Sequence, residues 1–258
     1  MSDTIGDPPI ASGIAADRVE RLTKTIRDQT FPNLKPRDSA TLILIDRTES
    51  VPKVLLGRRH ERHRFMPGKF VFPGGRIEPT DRQMAILSAL HDRHVARLMT
   101  KVRHASATKA AGFALAAIRE TYEETGLMLG VPSSAPIATP PGPWEAFAKA
   151  GIVPDLSAIH FIARAITPPK RPRRFDSRFF AADIAAIAQR ADGFVGPDKE
   201  LVELVWLPIE ESMKLDMPGI TMAVLEEIKI RTAGGFTHDL PVPFYRMQRN
   251  KRIREFLE

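Results

Sequence analysis

Three glutamates, Glu120, Glu123 and Glu124, stand at i, i+3 and i+4 in the run Arg119-Glu-Thr-Tyr-Glu-Glu-Thr-Gly-Leu127. At 3.6 residues per turn this spacing gathers all three on one helix face. Like charges at i,i+4 destabilise a bare helix by about 0.2–0.5 kcal/mol per pair, and a cation among them reverses that sign. Hard oxygen donors of this kind suit Mg²⁺ or Mn²⁺, which bind through a few carboxylates together with water and substrate phosphate. Ala111, Leu115, Ile118 and Tyr122 fall largely on the opposite side and give the helix a core face. Taken alone, the cluster also fits a solvated acidic face with Arg119 as its partial neutraliser.

The elements around it must hold that helix in place. Thr108 to Thr125 has helical periodicity, with Gly126 at the C-cap position. Upstream, Ala40–Ile45 is a β-branched-rich run that predicts a buried strand, and Val54–Arg58 predicts its neighbour. Lys69–Phe72 predicts a short strand stopped by the breaker triplet Pro73-Gly74-Gly75. From Asp81 the pattern turns helical, with Met84, Leu87, Leu90 and His91 on one stripe and Val95, Leu98 and Met99 on another. Asp17–Asp28 predicts a short charged helix, residues 131–143 a Pro-rich loop, and Trp144–Lys149 another short helix. Ile159–Ala163, Ser177–Phe180 and Leu201–Leu207 predict strands, and Met222–Ile230 a final helix. Strands and helices mix without strict βαβ alternation, which favours an α+β fold or an α/β/α sandwich.

Composition narrows the function. With 43% apolar and 27% charged residues, the chain has the makings of a globular core under a charged surface. No apolar run is long enough for a membrane span. The chain has no cysteine, which excludes disulfides, thiolate catalysis and cysteine-ligated zinc. The first residues lack a basic head followed by an apolar run, and REFLE matches no retention or peroxisomal tripeptide, so a cytoplasmic location is expected. The net charge of +7 is spread along the chain. It therefore speaks for small phosphorylated anions and against a dedicated nucleic acid surface.

Upstream of the carboxylates stands Phe72-Pro-Gly-Gly-Arg-Ile-Glu-Pro-Thr-Asp81. Together with Arg119–Leu127 this resembles the Nudix box, G-x5-E-x7-R-E-U-x-E-E-x-G-U with U aliphatic. Gly75 matches the first glycine and Asp81 stands where the first Glu is expected. Arg119, Glu120, Glu123, Glu124, Gly126 and Leu127 match the remainder, with Thr121 at the first U. The spacing departs: about 30 residues are inserted between Asp81 and Arg119. The resemblance implies an α+β, Nudix-type α/β/α sandwich with a mixed sheet and a helical insertion at about 82–112. It implies a domain over 37–258, preceded by a partly disordered extension at 1–36. It also implies a metal-dependent diphosphate hydrolase in which Glu120, Glu123 and Glu124 bind Mg²⁺ or Mn²⁺ and Arg119 orients them by a salt bridge. Gly75 would allow close packing of its loop. The general base would be Glu124 or a loop carboxylate, with Asp198, Glu200 and Glu203 as candidates.

The segment Leu55-Leu-Gly-Arg-Arg59-His-Glu-Arg-His-Arg64-Phe-Met-Pro-Gly68 ahead of Phe72 resembles the motif of Nudix coenzyme A diphosphatases, L-L-T-x-R-[SA]-x3-R-x3-G-x3-F-P-G-G. Gly57 and His60 depart from it. The interrupted box also resembles the peroxisomal branch of mammalian coenzyme A hydrolases, although the matching signal is missing here. The resemblance places Arg59, Arg64, Gly74 and Gly75 at the substrate. The run Arg171-Pro-Arg-Arg174 could contribute charge, and Trp206 or Phe175 could stack a base, although rim or core packing serves each equally well. ADP-ribose, NADH and nucleoside triphosphates are the alternative substrates, and a non-catalytic nucleotide- or RNA-binding module is the alternative class. The apolar positions of the insertion leave a homodimer contact or a local lid open. His91 and His94, with His104 beyond, have a spacing that permits zinc, but without a Glu-x-x-His pattern a solvated helix is expected.

Overall fold

The structure is a computed structural model and describes residues 31–62 and 66–258. The expected extension, the Asp17–Asp28 helix and Arg64 therefore lie wholly or mostly outside the described residues. Thirteen strands follow in chain order: β1 (Arg37–Asp46), β2 (Lys53–Arg59), β3 (Phe70–Val71), β4 (Gly74–Arg76), β5 (Leu127–Leu129), β6 (Val131–Pro132), β7 (Ile152–Val153), β8 (His160–Ile166), β9 (Phe175–Asp183), β10 (Ile187–Arg190), β11 (Leu201–Pro208), β12 (Val242–Gln248) and β13 (Lys251–Leu257). The α-helices among the described residues are α1 (Asp92–Met99), α2 (Ala107–Thr125), α3 (Glu145–Ala150), α4 (Ile209–Ser212) and α5 (Gly219–Ala233).

The main sheet runs β11-β2-β1-β9-β8-β12-β13, with β3 on β2 and β4 on β1. It is mixed: β1 pairs β9 in parallel and β4 antiparallel. Period-2 alternation along β1 explains the layering. Leu42 and Leu44 point to one cluster, which also contains Phe113, Leu115 and Ile118 of α2. Ile43 and Ile45 point to the other, with Val224, Leu225 and Ile228 of α5. Each face is thus covered by helices, giving the expected α/β/α sandwich.

Several local expectations are corrected. Pro73-Gly74-Gly75 does not simply stop a strand, because Gly74 and Gly75 form β4 and pair with Thr41 and Ala40. Their missing side chains permit this: a Cβ on Gly74 would lie 2.6 Å from the Ala40 carbonyl oxygen. The helical pattern from Asp81 is not realised at once. Pro79–Gln83 is a 3-10 turn, and residues 84–91 are irregular. There the Leu87 N–H donates to Pro154 O and the Leu156 N–H to Ser88 O, so the backbone finds partners across a loop instead of along a helix. Met84 and Leu90 are buried, but Leu87 is 59% exposed and breaks the proposed stripe. The chain does not end its regular structure at the last helix: the β12–β13 hairpin follows and extends the sheet.

Candidate active site

The carboxylates are set by α2. Ser106 caps its start by accepting from the Lys109 N–H, and Gly126 ends it in the left-handed region at φ 77°. A Cβ on Gly126 would meet Ala191 O at 2.1 Å, so this turn requires glycine. Leu115 and Ile118 are buried, which anchors one side of the helix and turns the glutamates toward β4. β4 comes so close that a Cβ on Gly75 would stand 2.3 Å from Glu120 Oε2. The neighbouring Gly74 N–H donates to Glu124 Oε2 at 3.2 Å.

Arg119 organises the group. Its Nε donates to Asp81 Oδ1 at 2.7 Å and its Nη2 to Asp81 Oδ2 at 3.2 Å. Its Nη1 reaches Glu120 at 2.9 Å and Glu123 at 2.5 Å, while Nη2 also donates to the Arg76 carbonyl at 2.8 Å. Asp81 is fully buried and also accepts from the Trp144 indole N–H and the Glu78 backbone N–H. Burial works against the Arg119 charge, but Asp81, Glu120 and Glu123 more than offset it and hold the guanidinium firmly protonated. The 38-residue separation of Asp81 and Arg119 is thus closed in space.

Electrostatically the site lacks positive charge. Burial pushes the Glu120 carboxyl up to about 7 against the opposing pull of Arg119. Burial also raises Glu123, again opposed by Arg119. Glu124 is held well above the usual carboxylate range by burial, with repulsion from Glu200 and Glu120 added. Arg119 and Arg59 offset the charge of Glu120, Glu123, Glu124, Asp81 and Glu200 only in part. An all-oxygen donor set with excess negative charge fits a hard divalent cation.

Among the other candidates, Arg59 and Glu200 meet beside Glu124, with Arg59 Nη2 donating to Glu200 Oε1 at 2.5 Å. Glu203 turns to Arg58 instead, at 2.9 Å, and Asp198 lies exposed in the loop before β11. Gly57 is explained by packing, since a Cβ there would meet Leu201 Cδ1 at 2.4 Å. His60 accepts from the Arg62 N–H through Nδ1. Trp206 is 36% exposed on β11, whereas Phe175 lines a separate cavity of about 1300 Å³. Arg37, Arg76, Lys101, Arg103, Lys109 and Arg173 also line that cavity. Arg76 links it to the carboxylates, because Arg76 follows Gly75 and its carbonyl accepts from Arg119. Arg174 serves structure, binding Leu34 O at 2.6 Å and Thr167 O at 3.1 Å. Sequence reasoning did not foresee this cavity, whose residues come from six separate stretches of the chain. It also missed Trp144 as a ligand of Asp81, since only the fold brings the two together.

No family model matches the chain. Among solved structures, a Nudix hydrolase from Alicyclobacillus acidocaldarius is 28% identical, covering 74% of this chain and 90% of that one at a TM-score of 0.57. The Nudix domain of Shewanella oneidensis NrtR, complexed with ADP ribose, is 13% identical over 83% and 97% of the two chains, at a TM-score of 0.43. A MutT protein from Methanosarcina mazei is 14% identical over 80% and 99%, at 0.43.

Proposed function

We propose that this Nudix-fold chain is a hydrolase acting on phosphorus anhydrides, and that the bond cleaved is the diphosphate of coenzyme A or an acyl-coenzyme A. The single observation that carries the reading is the joint position of Glu124, Gly74 and the Arg59–Glu200 pair. It unites the carboxylate helix with Arg59 of the coenzyme A-type segment.

Glu120, Glu123 and Glu124 would hold Mg²⁺ or Mn²⁺. When bound, a divalent ion neutralises phosphate charge and acidifies water for attack at phosphorus. Arg119 holds Glu120 and Glu123 in one orientation, and an ion would draw their free oxygens and Glu124 together. Glu124 or Glu200 takes the proton from the attacking water. The water oxygen bonds to phosphorus as the bridging P–O bond breaks, and the second phosphate leaves with that bridging oxygen. Glu200 is favoured over Asp198 and Glu203 as the loop carboxylate, because its charge reaches Glu124. Arg59, by exchanging Glu200 for substrate, and the exposed cavity cations would pair with substrate phosphates by charge-assisted bonds. Arg64 is assigned to the same task on its spacing alone.

The test is turnover with Mg²⁺ or Mn²⁺ on coenzyme A, acetyl-coenzyme A, ADP-ribose, NADH and nucleoside triphosphates, with products identified by mass. Adenosine 3′,5′-bisphosphate from the coenzyme A substrates alone is the expected result. Turnover confined to the other substrates would retain the metal site and remove the coenzyme A assignment. Glu123→Gln should lower turnover by roughly 10²-fold or more, the scale for removing a group that stabilises transition-state charge, while the protein stays folded. Full activity in that variant would overturn the assignment of Glu123 as a ligand.

A further inference from the structure

Of the insertion's three histidines, His94 departs from the solvated surface expected of them. His94 of α1 is fully buried, and its Nδ1 has no hydrogen-bond partner among the described residues. His238, in the loop after α5, approaches it with Nδ1 at 3.1 Å from His94 Nε2. His160, the first residue of β8, stacks on His238 at 4.7 Å between ring centroids. His91, the N-cap of α1, stacks on the same ring at 4.0 Å. His91 and His104 stay exposed, as expected of the group. One ring nitrogen from each of His94, His160 and His238 falls within a 4.8 Å set, and none of these residues belongs to the carboxylate site.

We infer that His94, His160 and His238 form a second metal site, selective for a borderline transition-metal ion and for Zn²⁺ foremost. Imidazole suits Zn²⁺, Ni²⁺ and Cu²⁺, whereas the carboxylate helix suits hard ions, so the two sites divide by chemistry. Nitrogens bound about 2.0–2.1 Å from a tetrahedral ion lie roughly 3.3 Å apart. The His94–His238 separation is already close to this, and His160 reaches the ion by turning out of its stack with His238. Burial pushes His94 down to about 3 and His160 to about 4, helped by mutual repulsion and by Arg231. Both are therefore neutral, the form that ligates. The site is also braced. Arg97 Nη1 donates to His238 O at 2.7 Å and Leu240 O at 3.2 Å, and its Nη2 to Asp239 O. Arg231 Nη2 donates to Pro241 O at 2.5 Å. These guanidinium groups are thus occupied in fixing the loop that presents His238. Three protein ligands leave a fourth position for water. An ion held there clasps the inserted helix to the sheet and to the loop after α5.

The full-length protein, stripped of metal, is titrated with Zn²⁺ in millimolar Mg²⁺ to keep the carboxylate helix occupied. One equivalent is expected to bind by calorimetry and to raise the melting temperature. Co²⁺ at the same site should give the visible absorption of tetrahedral nitrogen ligation. His238→Ala, in a loop, should weaken Zn²⁺ at least tenfold, as should His160→Gln, while Glu123→Gln leaves it unchanged. The assignment is overturned if the wild type takes up no Zn²⁺. It is equally overturned if Zn²⁺ survives in His238→Ala and is lost in Glu123→Gln, which would place the ion on the carboxylates. The Co²⁺ spectrum of the wild type decides the matter even if a histidine variant does not fold.

Discussion

Gly75 and Glu120 show how one residue sets the chemistry of another. The absent side chain at Gly75 lets β4 press against the Glu120 carboxylate, and the same closeness strips water from it. Desolvation then raises the carboxyl to about 7. In the metal-free protein the folded state holds this proton more tightly than the unfolded chain does. Its stabilising effect is complete below the unfolded value near 4.5 and is lost as pH rises through about 7. A divalent ion needs the deprotonated form, so binding releases that proton. Mn²⁺ affinity, followed by electron paramagnetic resonance, should fall about fivefold from pH 7 to pH 6 through the Glu120 proton, and level off at higher pH. A flat profile across this range would mean that the ion does not use Glu120.

At the scale of elements, Asp81 and Arg119 are far apart in sequence and joined in space. Arg119 of α2 and Asp81 of the Pro79–Gln83 turn are joined by two buried bonds, and Asp81 also receives the Trp144 indole. Asp81→Ala would leave a guanidinium that is only 2% exposed without its main partner. Glu120 and Glu123 remain, so the cost should sit near the low end for a broken buried pair, about 3 kcal/mol. For a chain of this size that corresponds to roughly a 6–12 °C lower melting temperature by calorimetry. An unchanged melting temperature would show that the glutamates alone hold Arg119. Much of this arrangement was legible in the sequence, because α2 carries both its motif and its Gly126 stop within one stretch, and β1 announces itself by β-branched residues. What was not legible depends on distant partners. Residues 84–91 carry an apolar spacing that suits a helix, but residues 154–156 take their hydrogen bonds. The β12–β13 hairpin turns through Arg249 and Asn250, both at positive φ, without a glycine to mark it. His94 looked like a surface residue because its partners, His160 and His238, lie 66 and 144 positions further along the chain.

On the scale of the whole molecule, the net charge of +7 gains a location. The 1300 Å³ cavity gathers Arg37, Lys101, Arg103, Lys109 and Arg173 near Arg76, and its acidic residues are already engaged: Asp38 binds Arg178 at 2.6 Å and Asp176 binds Arg164 at 2.7 Å. A cavity whose lining carries a large excess of one sign of charge concentrates anions and steers them to its mouth. If the proposed substrate binds with its diphosphate at the carboxylates, Arg76 is the residue that joins them to this space. Arg103→Ala or Arg173→Ala should raise KM for coenzyme A about two- to fivefold each, the worth of a single exposed ion pair, with kcat little changed. The same variants should leave KM unchanged for a substrate without the extra phosphate, and the difference should shrink as salt is added. Steady-state kinetics on paired substrates reads this directly. Equal losses on both substrates would assign these arginines to the diphosphate itself, and no loss on either would move substrate recognition to the Arg59 side of α2.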